Sequence, residues 1–137
     1  MKKIILLYLI LFSQAVFSES SRSDKYIYEL QDKCRKTTED VFKKEWGSGV
    51  VSTKDGQMIA SYSNHYNKKL NKCFYLLNST NVTKRYSLQM TSLWDIQDNK
   101  SYGEFNVDSK GMFCSVGEKQ CKSKDEFESL IKSYMND

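Results

Sequence analysis

Apolar residues recur at Ile27, Leu30, Cys34 and Val41, with Thr37 and Thr38 filling the turn between them. Steps of three and four place these positions on one face of a helix. Ser23 or Asp24 can cap its start, and Gly47-Ser48-Gly49 stops it after Trp46, with Phe42 and Trp46 extending the contact face. Beyond the glycines the period falls to two. Val50-Val51-Ser52 and Gln57 to Tyr62 flank Thr53-Lys54-Asp55-Gly56, whose Asp-Gly pair suits the positive φ of a hairpin turn. Alternation puts Met58, Ala60, Tyr62, Asn64 and Tyr66 on one side of the longer strand and Ile59, Ser61, Ser63 and His65 on the other. Asn67 to Lys69 then reverse the chain into a strand from Lys72 to Asn78. Its covered side is either Cys73, Tyr75 and Leu77 or Phe74 and Leu76.

Ser79 to Lys84 reads as a polar connection, and Arg85 to Ile96 as an alternating strand rich in residues that suit sheets. The adjacent apolar pair Leu93-Trp94 marks a bulge or a strand end. Asp98-Asn99-Lys100 turns the chain into Ser101 to Val107, and Gly111 to Val116 is a further edge strand or an ordered loop. Ser123 and Glu126 have the spacing of a capping box, followed by an apolar stripe of Phe127, Leu130, Ile131 and Tyr134. The pattern predicts an α+β fold, with an N-terminal and a C-terminal helix packed on an antiparallel sheet of four or five strands.

The head of the chain changes where such a fold would act. Met1-Lys2-Lys3 precedes the apolar run Ile4 to Phe12, after which small and polar residues follow, as in a secretory signal peptide. That run is about half of the roughly 20 residues needed to span a bilayer as a helix, so a removable leader is expected rather than an anchor. The expected cut follows Ser18, with Ala15 as the alternative. Residues 1–18 would then be the signal peptide and 19–137 a single secreted domain with no membrane span, periplasmic or extracellular.

Export gives the cysteines their meaning. Cys34, Cys73, Cys114 and Cys121 all lie beyond the leader, and four thiols in an oxidising compartment predict two disulfides. Three pairings are possible. Six residues including Gly117 separate Cys114 from Cys121 and can bend into a hairpin, which leaves Cys34 to meet Cys73. In the loop-entropy picture the short ring is worth roughly 2.5 kcal/mol and the ring of about 40 residues roughly 4 kcal/mol. A four-thiolate zinc site would instead show two close pairs.

Charge excludes one class of partner. Losing Lys2 and Lys3 with the leader lowers the formal charge from +4 to +2. Dedicated nucleic-acid binding wants a strongly basic face, so no nucleic-acid partner is expected. Nor does any spacing suggest a cofactor or metal.

Candidate chemistry is sparse. His65, the only histidine, stands among Tyr66, Lys68, Lys69 and Lys72, and these five form a candidate patch for phosphate, lipopolysaccharide or an acidic protein surface. The plainer reading is a solvated turn whose lysines keep strand edges from pairing with other molecules. No G-x-S-x-G turn or other triad element accompanies His65, so no catalytic residue is assigned. Asp95, Asp98, Glu104 and Asp108 surround one hairpin but lack the EF-hand pattern. Asn78-Ser79-Thr80 and Asn81-Val82-Thr83 match the glycosylation acceptor pattern. Nine tyrosines, seven phenylalanines and two tryptophans are many for so small a core. Aromatics left at a surface favour recognition of proteins or glycans.

The run Asn64-His65-Tyr66-Asn67-Lys68-Lys69-Leu70-Asn71-Lys72-Cys73-Phe74, with Trp94-Asp95-Ile96, Tyr102-Gly103-Glu104-Phe105 and the closing Ser133-Tyr134-Met135, resembles a group of small exported bacterial proteins of unknown function. The likeness covers most of the chain beyond the leader. It implies a bacterial envelope or secreted protein with paired cysteines and carries no activity with it. The sequence therefore points to a non-enzymatic binding or accessory module for an envelope or host protein or glycan. The alternative is a small extracytoplasmic hydrolase with dispersed catalytic residues.

Overall fold

The computed structural model describes residues 2–137, with side chains described from Ser23 onward. The expected signal segment, residues 1–18, lies outside the described side chains. Helix α1 spans Lys2–Trp46. Strands β1 (Val50–Ser52), β2 (Gly56–Asn67), β3 (Lys72–Thr83), β4 (Ser87–Asp95), β5 (Lys100–Asp108), β6 (Gly111–Val116) and β7 (Lys119–Gln120) follow, and α2 (Lys124–Met135) closes the fold. The strands pair antiparallel in chain order, from β1 to β7. Among the described residues no helix is long and apolar enough to cross a membrane.

The α+β class is as the pattern predicts, but the sheet has seven strands rather than four or five. Two segments depart from the pattern, the first lengthening β3 and the second adding a strand. Ser79 to Thr83 is no connection: it continues β3, pairing Thr83 with Gly56 and Val82 with Ser87. Polar side chains suffice there because this end of the strand is only half-buried, and Thr80, Val82 and Thr83 still favour extended backbone. The second segment is β7, two residues that pair with Ser115 and Val116 inside the ring closed by Cys114–Cys121. Gly111 to Val116 is indeed a strand.

The choice between two covered sides of β3 resolves as both. Cys73, Tyr75 and Leu77 face α1, packing with Cys34, Tyr66, Phe42 and Ala60. Phe74 and Leu76 face α2, packing with Leu93, Phe105, Phe127 and Ile131. The sheet thus lies between two helices, and Phe74 and Phe127 are fully buried.

Helix α1 does not start at Ser23 or Asp24, because the chain contains no proline and no glycine before Gly47 to interrupt it. It ends as expected. Gly47 takes a φ of 58° and donates its N–H to the Lys43 carbonyl, closing the last turn. Within the helix, the buried Thr38 hydroxyl donates back to the carbonyls of Cys34 and Arg35, so no polar atom there is left unsatisfied. Cys34 is bridged to Cys73, which fastens α1 to β3. The turn before β2 differs from expectation. Gly56 does not occupy the positive-φ region. Its need for glycine is space, since a Cβ there would stand 2.0 Å from the Val82 carbonyl oxygen. Positive φ falls instead to Asn71 at 52° and Asn99 at 49°, in the turns after β2 and β4.

Helix α2 begins with the expected box. Ser123 Oγ accepts the N–H of Glu126, while the Glu126 carboxylate accepts that of Lys122. At the other end the buried Asn67 amide donates to the carbonyls of Ser133, Tyr134 and Asn136, and its Oδ1 accepts the N–H of Leu70. One side chain therefore joins β2, its following turn and the end of α2. Between β4 and β5 the register slips at Leu93/Trp94, where the apolar pair suggested a bulge. Tyr102 is the extra residue, and its ring packs edge-on to Phe74 and Tyr134 at 5.3 and 5.4 Å.

Two outcomes test these packing arguments. Replacing Cys34 and Cys73 by alanine should cost about 4 kcal/mol, and replacing Cys114 and Cys121 about 2.5 kcal/mol, read as urea midpoints of the two double variants. A methyl group at Gly103 would lie 3.2 Å from Val116 Cγ2 and 3.3 Å from Phe127 Cε2. Gly103→Ala should therefore shift the Val116 and Phe127 side chains by a few tenths of an ångström and lower stability by about 1 kcal/mol, measured the same way.

Candidate functional site

The five residues of the candidate patch do not form one surface. Tyr66 is 5% exposed in the α1-side core, and its hydroxyl donates to Asn71 Oδ1 at 2.5 Å. Burial pushes its pKa up. His65 Nε2 lies 3.3 Å from Asp137 Oδ1, and Lys68 Nζ lies 3.1 Å from Asp137 Oδ2. The Lys68 backbone N–H, then its ammonium and His65, hold the Asp137 carboxyl below the usual carboxylate range. Lys72 turns away to Asp95 and Asp98. Lys69 alone of the five forms no ion pair or side-chain hydrogen bond among the described residues.

His65 also borders an open cleft of about 440 Å³ between α1 and β2, together with Tyr28, Asp32, Arg35 and Asn64. A histidine and a carboxylate are thus in contact, two members of a possible triad. No serine, threonine or cysteine lines the cleft to complete it.

The acidic hairpin is used structurally. Asp95 is fully buried and receives the Lys72 ammonium, along with the backbone N–H groups of Gln97 and Asp98. Lys72 also donates to Asp98 at 2.6 Å. Asp95 first, then Asp98, raise the Lys72 pKa, and Lys72 in turn lowers that of Asp98. The Lys72 contribution to stability is therefore complete below its unfolded pKa, near 10.5, and is lost as pH rises through the raised folded value. The Asp98 contribution has the opposite sense, disappearing as pH falls through its lowered value. Glu104 accepts from Asn106, and Asp108 accepts the N–H groups of Lys110 and Gly111. Both glycosylation patterns lie within β3 rather than on a loop. The cysteines are all paired, and no cluster of His, Cys, Asp or Glu among the described residues could hold a metal ion.

A different site emerges beside α1. Phe42 lies over Tyr62 at 4.5 Å, and Tyr62 lies against Tyr75 at 5.5 Å. This stack seats the helix mainly on β2 and leaves a groove of about 440 Å³ over β3 and β4. Val41 and Glu45 form the helix wall, Tyr75, Leu77 and Trp94 the floor, and Ile96 one end. Its volume lies within the range of small-molecule sites, and its lining is predominantly apolar. Tyr75 is 3% exposed, yet its hydroxyl has no hydrogen-bond partner. Burial first, then the nearby Glu45 carboxylate, push the phenol up to about 12. It therefore stays neutral, able both to donate and to accept. Buried oxygens of Asn81 and Asn106 also lack partners, but those amides still donate through nitrogen. Glu45 forms no ion pair among the described residues. Beyond the groove on the same sheet face, Met90 and Phe113 are 36% and 52% exposed.

Sequence reasoning did not find this site. Tyr75 and Trp94 are direct cross-strand partners, as are Leu77 and Ser92, so the strand pattern could place them together. Where α1 would stop covering them depends on the seating of its rings on β2, which no spacing encodes.

The buried Asp95 is the sharpest test of the ion cluster. Lys72→Gln should lower the melting temperature, because a desolvated carboxylate loses its counter-charge. Adding Asp95→Asn should recover part of the loss, a coupling that thermal melts of the two single variants and the double variant would read.

Compared with protein-family models, curated proteins and solved structures, the chain matches none.

Proposed function

We propose that the protein is an exported bacterial binding or accessory module, periplasmic or secreted, that holds part of an envelope or host molecule in the groove beside α1. Two disulfides are compatible with an extracytoplasmic place of action. The observation that carries the reading is the predominantly apolar groove with Glu45 on its helix wall, lined by Tyr75, whose buried hydroxyl has no protein partner. Leaving such a group unsatisfied costs about 1–3 kcal/mol, which a ligand atom reaching it would recover. Partly covered aromatics at the floor, Trp94 above all, add a contact face suited to recognition.

The second reading, a small hydrolase, draws on the His65–Asp137 pair and its open cleft. It lacks a nucleophile among the residues that line that cleft.

The readings separate in one comparison. The disulfide-intact protein should retain a component of envelope or culture fluid, and Ser92→Trp, which fills the groove, should remove that retention at least about tenfold while Ser63→Trp on the opposite face does not. Retention indifferent to Ser92→Trp, or turnover of an ester or glycoside that disappears in His65→Ala, would overturn the binding module.

A further inference from the structure

We infer that the group held in the groove is a small organic cation, an aryl- or alkylamine whose ammonium sits between Glu45 and the Tyr75 hydroxyl and whose apolar body lies along Leu77, Trp94 and Ile96. The inference rests on the binding reading above and adds the chemistry of the ligand. Three observations converge on it. First, the groove is closed at its floor by aromatic and aliphatic side chains, so the occupant must bury an apolar body. Second, Tyr75 lines the groove and its buried hydroxyl has no protein partner. A ligand N–H group can use that oxygen, and the phenol can in turn donate to a ligand acceptor.

The third observation decides the sign of the charge. Glu45 is the charged residue lining the groove, and it has no cationic partner among the described residues. Of the neighbouring helical acids, Glu39 is engaged by Lys43 at 2.5 Å and Arg35 at 3.1 Å, Asp32 by Arg35 and Lys36, and Asp40 does not line the groove. Glu45 and Tyr75 both line the groove, and the carboxylate helps raise the phenol pKa. An anion placed there would meet an uncompensated like charge, and a neutral ligand would leave the carboxylate unused. An ammonium satisfies both groups and gains attraction from the faces of Tyr75 and Trp94. A volume of about 440 Å³ suits a compact amine.

Four water-soluble probes test this on the disulfide-intact full chain: 2-phenylethylamine, 2-phenylethanol, phenylacetate and Nα-acetyl-lysine amide. Binding is read from the indole signal of Trp94 and the methyl signals of Leu77 and Ile96 in NMR titrations. The amine should bind saturably and about tenfold tighter than the alcohol or the carboxylate, the factor expected of one charge-assisted hydrogen bond. Glu45→Gln should bring the amine to within about twofold of the alcohol without altering alcohol binding or the melting temperature. Tyr75→Phe should weaken the amine about threefold or more.

Equal or tighter binding of 2-phenylethanol or phenylacetate at the same signals would overturn the cation and leave the binding module standing. Tighter binding of the lysine amide would reassign the occupant to a side chain of a protein partner. Absence of any groove shift with all four probes would overturn the small cation, while the binding module stands or falls with the Ser92→Trp retention comparison.

Discussion

The structure depends on how one strand is buried from both sides. Residues of β3 alternate between the two helices, with Cys73, Tyr75 and Leu77 beneath α1 and Phe74 and Leu76 beneath α2. A helix laid on a sheet is otherwise free to slide along the pleat. Here the Cys34–Cys73 bridge removes that freedom at the start of β3. The aromatic stack from Phe42 through Tyr62 to Tyr75 then fixes the rotation of the helix about that point. Held toward β2, α1 cannot also cover β4, and Trp94 is left beside a groove. The candidate site is in this sense a by-product of where the covalent tie and the stacked rings place the helix.

The opposite face combines fit with a disulfide that ties the lead into α2, rather than α2 itself, to β6. Gly103 lets Phe127 approach the backbone, and the bulged Tyr102 fills the space beside it with a ring that meets both Phe74 and Tyr134. Cys114–Cys121 holds the short lead into α2. Asn67 fixes the far end by taking three carbonyls that a helix terminus would otherwise present to water. The two helices thus solve the same problem with different chemistry.

Local rules made much of this readable. The capping box at Ser123, the glycine stop after Trp46, the slip at Leu93-Trp94 and the sulfur pairing each follow from a few neighbouring residues, and each is present in the fold. What escaped was set by tertiary context. Polar Ser79 to Thr83 looked like a loop because neither helix demands apolar residues from that end of β3. The basic run after His65 looked like one patch because sequence cannot show that Lys72 turns to a buried Asp95 while His65 and Lys68 turn to Asp137. Gly56 looked like a turn residue, yet its constraint is the closeness of β3.

The meander has a bearing on assembly. Every strand pairs with its successor, so each hairpin closes only a short loop and asks little chain entropy of the one before it. Docking α2 is different, because Asn67 lies 66 residues from Ser133. That contact gains its full value only once the intervening strands are aligned. Loop-closure entropy therefore favours a ribbon that zips from neighbour to neighbour and a terminal clasp that fastens last, which makes the asparagine amide a check that the whole ribbon has found its register.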